Sequence, residues 1–475
     1  MTNTNIVAAI VFGSSKITGI VGTKEIDGSI RVKAHVAQNS SDFIGKGRVL
    51  NVEKMTNCLS SIKSRLEEQS SCRIKCFYAA VDCQGLRSMT NEVTIHLSTS
   101  EIVTDELLMS IEQRNKEGKP ATREILEAIP LTYRLGSKGT TGTLEPKGMQ
   151  TDHLQAKFLN IVCNSNTVAT ITSCFRKAGI ELVKGRLYIG VQHLATVITN
   201  EQERSTGAVI VDMGSETTTV AVYKGKLLRH LVVIPLGSDS ITRDIENVFN
   251  VERDEAEHLK RTFGYPSDEM MEDKDSTIAL RDGGRIKKYS ELANIIDARM
   301  EEIVQNVKHQ VGLTGLTHEH LVNGIYICGG GAQMKDIINA FKNHFKEWNV
   351  RIVKNTTRLV VACSDHNFNA TGSYNTALGL INNADVNCYG GEYRGLFGED
   401  EPTEEEKAAE AAKKAAEEER LRLAELEAAR IAAEKAAAEK AAAEEAAKNK
   451  TGVKLGNWFR KAGKKLAELV SENEE

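Results

Sequence analysis

The sequence predicts an α/β protein built from one fold used twice, with a cleft between the copies. Two observations carry this. Apolar β-type runs alternate with helical patterns along the first 385 or so residues. One unit, a buried strand, a tight Gly-Ser turn and a second strand, occurs at Ile6–Thr23 and returns near Ala208–Tyr223, about 200 residues later. A body of about 400 residues is too long for one core and suits two or more subdomains.

The elements follow in order. Ile6–Phe12 reads as a buried strand, turned by Gly13-Ser14-Ser15-Lys16 into Ile17–Thr23, and Ile30–Gln38 continues the meander. Val52–Glu68 carries helical spacing. Gln84–Val162 reads as a separate block with several strands, one helix at Thr104–Asn115 and a turn-rich stretch at Leu135–Gly148. A helix from Thr167, a strand near Leu182 and a helix at Gly190–Thr199 precede the second copy of the hairpin, whose turn is Asp212-Met213-Gly214-Ser215-Glu216-Thr217-Thr218. Later, the strand Ile325–Cys328 runs into Gly329-Gly330-Gly331-Ala332, with a helix expected to start near Met334.

Turns made of glycine and short hydroxyl residues let backbone N–H groups approach phosphate oxygens. Gly13–Lys16 and Gly214–Thr218 are two such turns. Asp212 ends its strand just ahead of the second, where a carboxylate can hold a hydrated Mg²⁺. The triple glycine lets a flat ligand or a phosphate lie against the backbone. Neither G-x-x-x-x-G-K-[ST] nor G-x-G-x-x-G occurs, which speaks against P-loop and Rossmann chemistry. The net charge of −4, with a local excess of basic charge at the C-terminal tail and none over the body, argues against nucleic acid as a partner. Nine scattered cysteines without a C-x-x-C pair suit a reducing compartment. No apolar run reaches the ~18 residues of a spanning helix, and the apolar start lacks the basic flank of a signal peptide.

The tail follows another pattern. Leu455, Trp458, Phe459, Ala462, Leu466, Leu469 and Val470 fall within an arc of roughly 120° on a helix. Arg460, Lys461, Lys464, Lys465 and Glu468 fill the opposite arc. An apolar face backed by a cationic one is what an interfacial helix on anionic lipid needs. Ahead of it, residues 391–450 are rich in Glu, Ala and Lys. Acid-to-base pairs four apart recur there, such as Glu410 with Lys414 and Glu444 with Lys448. This segment reads as a semi-rigid helical spacer, its stretch from Glu401 to Lys450 reaching on the order of 70 Å if fully helical.

The order of the three turns is similar to that of the actin-like ATPase superfamily. Within it the chain resembles the bacterial FtsA family of cell-division proteins, over about residues 5–385 and in the tail. The similar stretches are Gly13–Ile17, Pro146–Met149, Gly207–Val222, Pro235–Ile245, Glu255–Lys260, Gly329–Gln333 and Ala377–Leu380. The resemblance implies an actin-like fold of two ribonuclease-H-like halves, 1A and 2A, with added subdomains 1C and 2B. It divides the chain into 1A (1–83), 1C (84–162), 1A (163–200), 2A (201–227), 2B (228–310), 2A (311–361), 1A (362–390), the linker (391–450) and the membrane-targeting helix (451–475). It implies ATP and Mg²⁺ as ligands, with Glu257 and Lys260 facing the ribose and Gly237 near the phosphates. It also implies self-assembly into filaments, the FtsZ C-terminal tail as partner of 2B, and other division proteins as partners of 1C, at the cytoplasmic face of the inner membrane.

The chain departs from the family pattern at three points. Val11 stands where the family's first strand ends in Asp, Ser215 and Glu216 replace glycines, and Ser238 replaces the second Gly of a Gly-Gly pair. Without the first carboxylate, Mg²⁺ binding and water activation should weaken, so ATP hydrolysis is expected to be slow or absent, and Glu216 is expected to add negative charge near the phosphates. The alternatives are a nucleotide-independent adaptor with a vestigial cleft, or another actin-like ATPase or kinase.

Overall fold

The computed structural model describes residues 5–136, 142–264, 276–281, 285–354, 359, 361–365, 368 and 370–392. Apart from its first two residues, the Glu/Ala/Lys-rich linker, with the whole tail helix, lies outside them.

The first half begins with β1 (Ile6–Val11), β2 (Lys16–Lys24) and β3 (Ile30–Asn39), an antiparallel meander, to which β4 (Cys76–Val81) adds parallel to β1. Helix α1 (Val52–Ser70) connects β3 to this side of the sheet. Asn51 Oδ1 caps it by accepting from Lys54 N at 3.0 Å, and it buries Met55, Cys58, Leu59, Ile62 and Leu66, a helical stripe facing the sheet. An inserted block follows: β5 (Arg87–Ile102), α2 (Asp105–Glu117), β6 (Arg123–Leu135) and β7 (Gln150–Asn164). Its small core is Ile95, Ile111, Tyr133, Leu154, Ala156 and Phe158. The chain then re-enters the first half through α3 (Ser165–Lys177), β8 (Glu181–Leu182), which pairs parallel to β4, and α4 (Gly190–Ile198).

The second half repeats the first. β9 (Ala208–Met213), β10 (Thr218–Lys224) and β11 (Leu227–Ile234) form an antiparallel meander. β12 (Ile325–Cys328) pairs parallel to β9, and β13 (Val350–Ile352) parallel to β12. Both sheets therefore run third, second, first, fourth, fifth strand. The hairpins match in register: Val11 lies opposite Thr18, and Asp212 opposite Thr219. The expected duplication is thus visible strand by strand. β11 belongs to the second half's sheet, so residues 228–234 pair there. The inserted block's sheet continues from β11 through Val232 opposite Arg87. Helices α5 (Ser238–Phe249), α6 (Arg253–Phe263) and α7 (Tyr289–Gly312) cover this half through Ile241, Ile245, Phe249, Leu259, Ile296 and Ile303. Helix α8 (Ile337–His344) precedes β13, a short strand at Val361–Ala362 pairs parallel to β3 and returns the chain to the first half, and α9 (Asn375–Asn382) follows there. A last strand, Tyr389–Glu392, pairs with Cys72–Ile74, so the body extends two residues into the stretch assigned to the linker.

The two halves are joined where α4 and α9 cross. A Cβ on Gly379 would overlap the His193 carbonyl, so the crossing is as close as backbone allows. The Asn383 side-chain amide meets His193 Nδ1 at 3.2 Å and Thr196 Oγ1 at 2.9 Å beside it. Gly379→Ala is expected to force the helices apart and destabilise the body by at least ~2 kcal/mol. Thermal or guanidinium unfolding of the full chain measures this. An unchanged midpoint would show that the crossing tolerates expansion.

Candidate functional site

The C-terminal ends of the parallel strands point into one cleft of about 750 Å³ between the halves. Gly13, Ser14, Ser15 and Lys16 line one wall, and Asp212, Gly214, Ser215 and Thr217 the other. Gly329, Gly330 and Gly331 lie along its edge, with Glu257 and Lys260 nearby. Three segments more than a hundred residues apart thus meet in one place, as their chemistry predicts.

The two hairpin turns share one geometry. A Cβ on Gly13 would lie 2.6 Å from the Lys16 carbonyl oxygen, and one on Gly214 2.9 Å from that of Thr217. Each turn folds so tightly onto the residue three positions on that only glycine fits. Gly214 N donates to Thr217 O at 2.8 Å and closes the second. The carbonyls of this turn are then taken by the start of α5, with Ser238 N donating to Gly214 O (3.1 Å) and Asp239 N to Ser215 O (2.7 Å). The positive end of α5 therefore backs the turn. In the first turn, Ser14 Oγ accepts from Gly47 N at 3.0 Å, and Ser40 Oγ donates to Gly13 O at 2.7 Å.

Lys16, Arg253, Lys260, Arg261 and Lys335 bring cationic side chains to the cleft. Lys16 Nζ donates to Ser373 Oγ at 2.7 Å, and burial lowers its pKa. Lys260 is almost fully buried; its ammonium donates to Glu257 (2.6 Å), Thr242 Oγ1 (2.7 Å) and Ser238 O (3.1 Å). Burial lowers its pKa, against the pull of Glu257. Burial pushes the Glu257 carboxyl up, but Lys260 and the Thr242 hydroxyl outweigh it and hold the group below its ordinary value. Arg253 pairs with Asp239. At the floor, Asp212 accepts no hydrogen bond and forms no ion pair among the described residues, and burial raises its pKa to about 6. A carboxylate left without a partner at the base of such a cleft is a donor suited to a hard cation such as Mg²⁺.

Four expectations change. Glu216 does not point at the cleft. It crosses to the other half, where its Oε2 accepts from Lys46 N at 2.6 Å, while its Oε1 accepts from Arg243 at 2.6 Å. Its charge is neutralised by Arg243 and serves as a strap between the halves. Gly237 sits behind the second turn, so close to the Ser215 carbonyl that a Cβ would overlap it. Ala332 is buried in the second half's core. No α-helix starts near Met334: Gly331–Gln333 form a 3₁₀ turn and α8 begins at Ile337, after Asp336 in a left-handed conformation. The sequence reading also passed over Asp82, Asp239, Arg253 and Ser373, all of which line the cleft. Asp82 directly follows β4, and its place at the cleft shows only once β4 is known to lie beside β1.

A second tie spans the halves near the glycine edge, with Gln333 Nε2 donating to Thr371 O at 3.2 Å. Removing Glu216 tests the strap. Glu216→Ala leaves Lys46 N without its acceptor, at an expected cost of about 1–3 kcal/mol. Amide hydrogen exchange should quicken at Lys46 and Gly47 specifically. Unaltered exchange there would mean that the strap holds nothing.

Comparison with known proteins fits this architecture. A family model described as "Cell division protein FtsA" matches residues 209–379, and one described as "SHS2 domain inserted in FTSA" matches residues 83–162. The cell division protein FtsA of Escherichia coli K12 is 26% identical over 351 residues, covering 71% of this chain and 81% of that protein. That of Buchnera aphidicola is 25% identical over 386 residues, covering 79% and 90%. Among solved structures, a chain of the PilM–PilN type IV pilus biogenesis complex superposes with a TM-score of 0.57 at 14% identity, covering 79% of this chain and 97% of that one. The fold is actin-like, with the SHS2 domain inserted in the first half.

Proposed function

We propose that this chain, which belongs to the FtsA family of cell-division proteins, is an ATP-binding membrane tether. It binds ATP in the cleft, assembles into actin-like filaments and links the FtsZ polymer to the cytoplasmic membrane through its C-terminal helix. The observation that carries the nucleotide reading is the convergence of two glycine-closed turns and a glycine edge, with Lys16, Lys260 and Arg253, on one cleft. Backbone N–H groups and cations of that kind suit a triphosphate, and the Glu257–Lys260 pair offers polar partners to a ribose. Mg²⁺, when bound, would neutralise phosphate charge. Asp212 is the residue placed to hold it, through water. Val11 supplies no carboxylate for aligning an attacking water, which supports slow or absent hydrolysis.

The membrane reading rests on the pattern of residues 451–475. One marginal helix binds weakly, whereas many carried by one filament bind tightly, because each bound helix raises the effective concentration of the next. Nucleotide state would act on membrane residence through assembly. The FtsZ tail is assigned to 2B, residues 228–310, and neighbouring subunits or other division proteins to 1C. The subdomain boundaries given above belong to the same proposal. Val11 favours a second reading, an adaptor whose cleft holds no nucleotide.

Two experiments separate these readings. ATP with Mg²⁺ should raise the melting temperature of the full chain, while phosphate release stays near background. Absence of any shift would favour the adaptor, and rapid Mg²⁺-dependent turnover would contradict the assignment of Val11. Replacing Trp458 and Phe459 by Glu should release the chain from anionic vesicles in co-sedimentation. Undiminished binding would remove the tail as the anchor.

A further inference from the structure

The cleft floor holds a carboxylate that the family resemblance does not assign. β1 and β4 are parallel neighbours, with Val11 opposite Ala80 and Phe12 N donating to Ala80 O at 3.1 Å. Asp82 lies two residues beyond Ala80. Side chains alternate along a strand, so its carboxylate leaves the sheet on the same side as Ala80, and hence as Val11. It stands one strand over and one pleat closer to the cleft mouth than a carboxylate at Val11 would. The cleft lining includes both Asp82 and Val11.

The space it occupies is made by a second residue. Gly190 opens α4, and a Cβ there would overlap an Asp82 carboxylate oxygen and lie 3.0 Å from the carboxyl carbon. Any other residue at 190 would evict the group. Val191 N donates to Asp82 Oδ1 at 3.3 Å and fixes the carboxylate's direction. Close by stands Asp212, from the penultimate position of β9, the counterpart of β1 in the other half. The two negative charges repel: desolvation by burial, then the charge of Asp212, raises the Asp82 pKa well above the ordinary carboxylate value. Neither forms an ion pair with a described residue. Thr18 and Thr219, the registered partners of Val11 and Asp212, add hydroxyl oxygens to the lining. The lining thus offers oxygen donors, two carboxylates and two hydroxyls, beside the buried Cys328 thiol, and hard, partly hydrated cations take oxygen donors of this kind.

We propose that Asp82 is the second carboxylate of a divalent-cation site, taking over from the neighbouring strand the part that Val11 cannot play, and that with Asp212 it holds hydrated Mg²⁺ against the phosphates of a bound nucleotide. This rests on the nucleotide-binding reading above. It revises the expectation that the loss of a carboxylate at position 11 weakens Mg²⁺ binding. Cation affinity is kept, and what is lost is a carboxylate at the place that aligns an attacking water.

The test is calorimetric titration of ADP and of a non-hydrolysable ATP analogue into the full chain, in Mg²⁺ and in EDTA. Wild type should bind nucleotide more tightly in Mg²⁺. Asp82→Asn should lose that enhancement by about 10–100-fold, the range for removing a carboxylate that supports a metal, and keep its affinity in EDTA. Its melting temperature without nucleotide should be unchanged or higher, because a repelling carboxylate is gone. Asp82→Ser serves as a second, smaller variant if the amide disturbs folding. Val11→Asp added to Asp82→Asn should restore part of the enhancement. A wild type that binds nucleotide equally well in EDTA, or an Asp82→Asn chain that keeps the full Mg²⁺ enhancement, overturns this proposal and leaves the nucleotide reading standing. A wild type that binds no nucleotide in either buffer overturns both.

Discussion

The structure depends on the crossing of two helices at Gly379 and His193. Helix α4 carries the chain from one half to the other, α9 packs in the first half's core, and their backbones meet with no side chain between them. That contact fixes how the two sheets face each other, and so brings two strand ends, two turns and a triple glycine together in one cleft. Burial lowers the His193 pKa to about 4, so the imidazole is neutral near neutral pH and puts no charge into the crossing. Across the cleft from this hinge, Glu216 with Lys46 N and Gln333 with Thr371 O tie the halves at two further points.

Charge is sorted along the cleft. Cations stand at its sides: Lys16, Lys260 and Arg253. Among the cleft carboxylates, Asp239 is paired with Arg243 and Arg253 and Glu257 with Lys260, while Asp82 and Asp212 stand at the floor. A phosphate chain entering this space meets backbone N–H groups and cations. The floor carboxylates repel it unless a cation lies between them and it. The arrangement thus links nucleotide and cation occupancy through electrostatics alone.

Much of the site was legible in the sequence because its elements are local. A hairpin with a tight Gly-Ser turn shows in a dozen residues, and its recurrence gives the duplication directly. The residues that the sequence misplaced depend on contacts it does not hold. Glu216 sits in a phosphate-type turn, yet its partner amide is 170 positions earlier. Gly237 and Ala332 belong to stretches similar to the family's, but they are needed for packing behind the cleft. The helix expected near Met334 is delayed because the glycines first wind into a 3₁₀ turn. Asp82 was passed over because nothing in its neighbourhood marks it until β4 is known to lie beside β1.

The sequence by itself determined the strand–turn–strand units, their duplication, the amphipathic pattern of residues 451–475 and the charge of the spacer. These are periodicities and short spacings, and a chain states them wherever it happens to lie. Tertiary structure decided which residues face the cleft and which brace it. Whether a carboxylate meets a ligand, an arginine or another carboxylate depends on which strands are neighbours and how closely two helices cross. Those are long-range distances, set by packing and not by order along the chain.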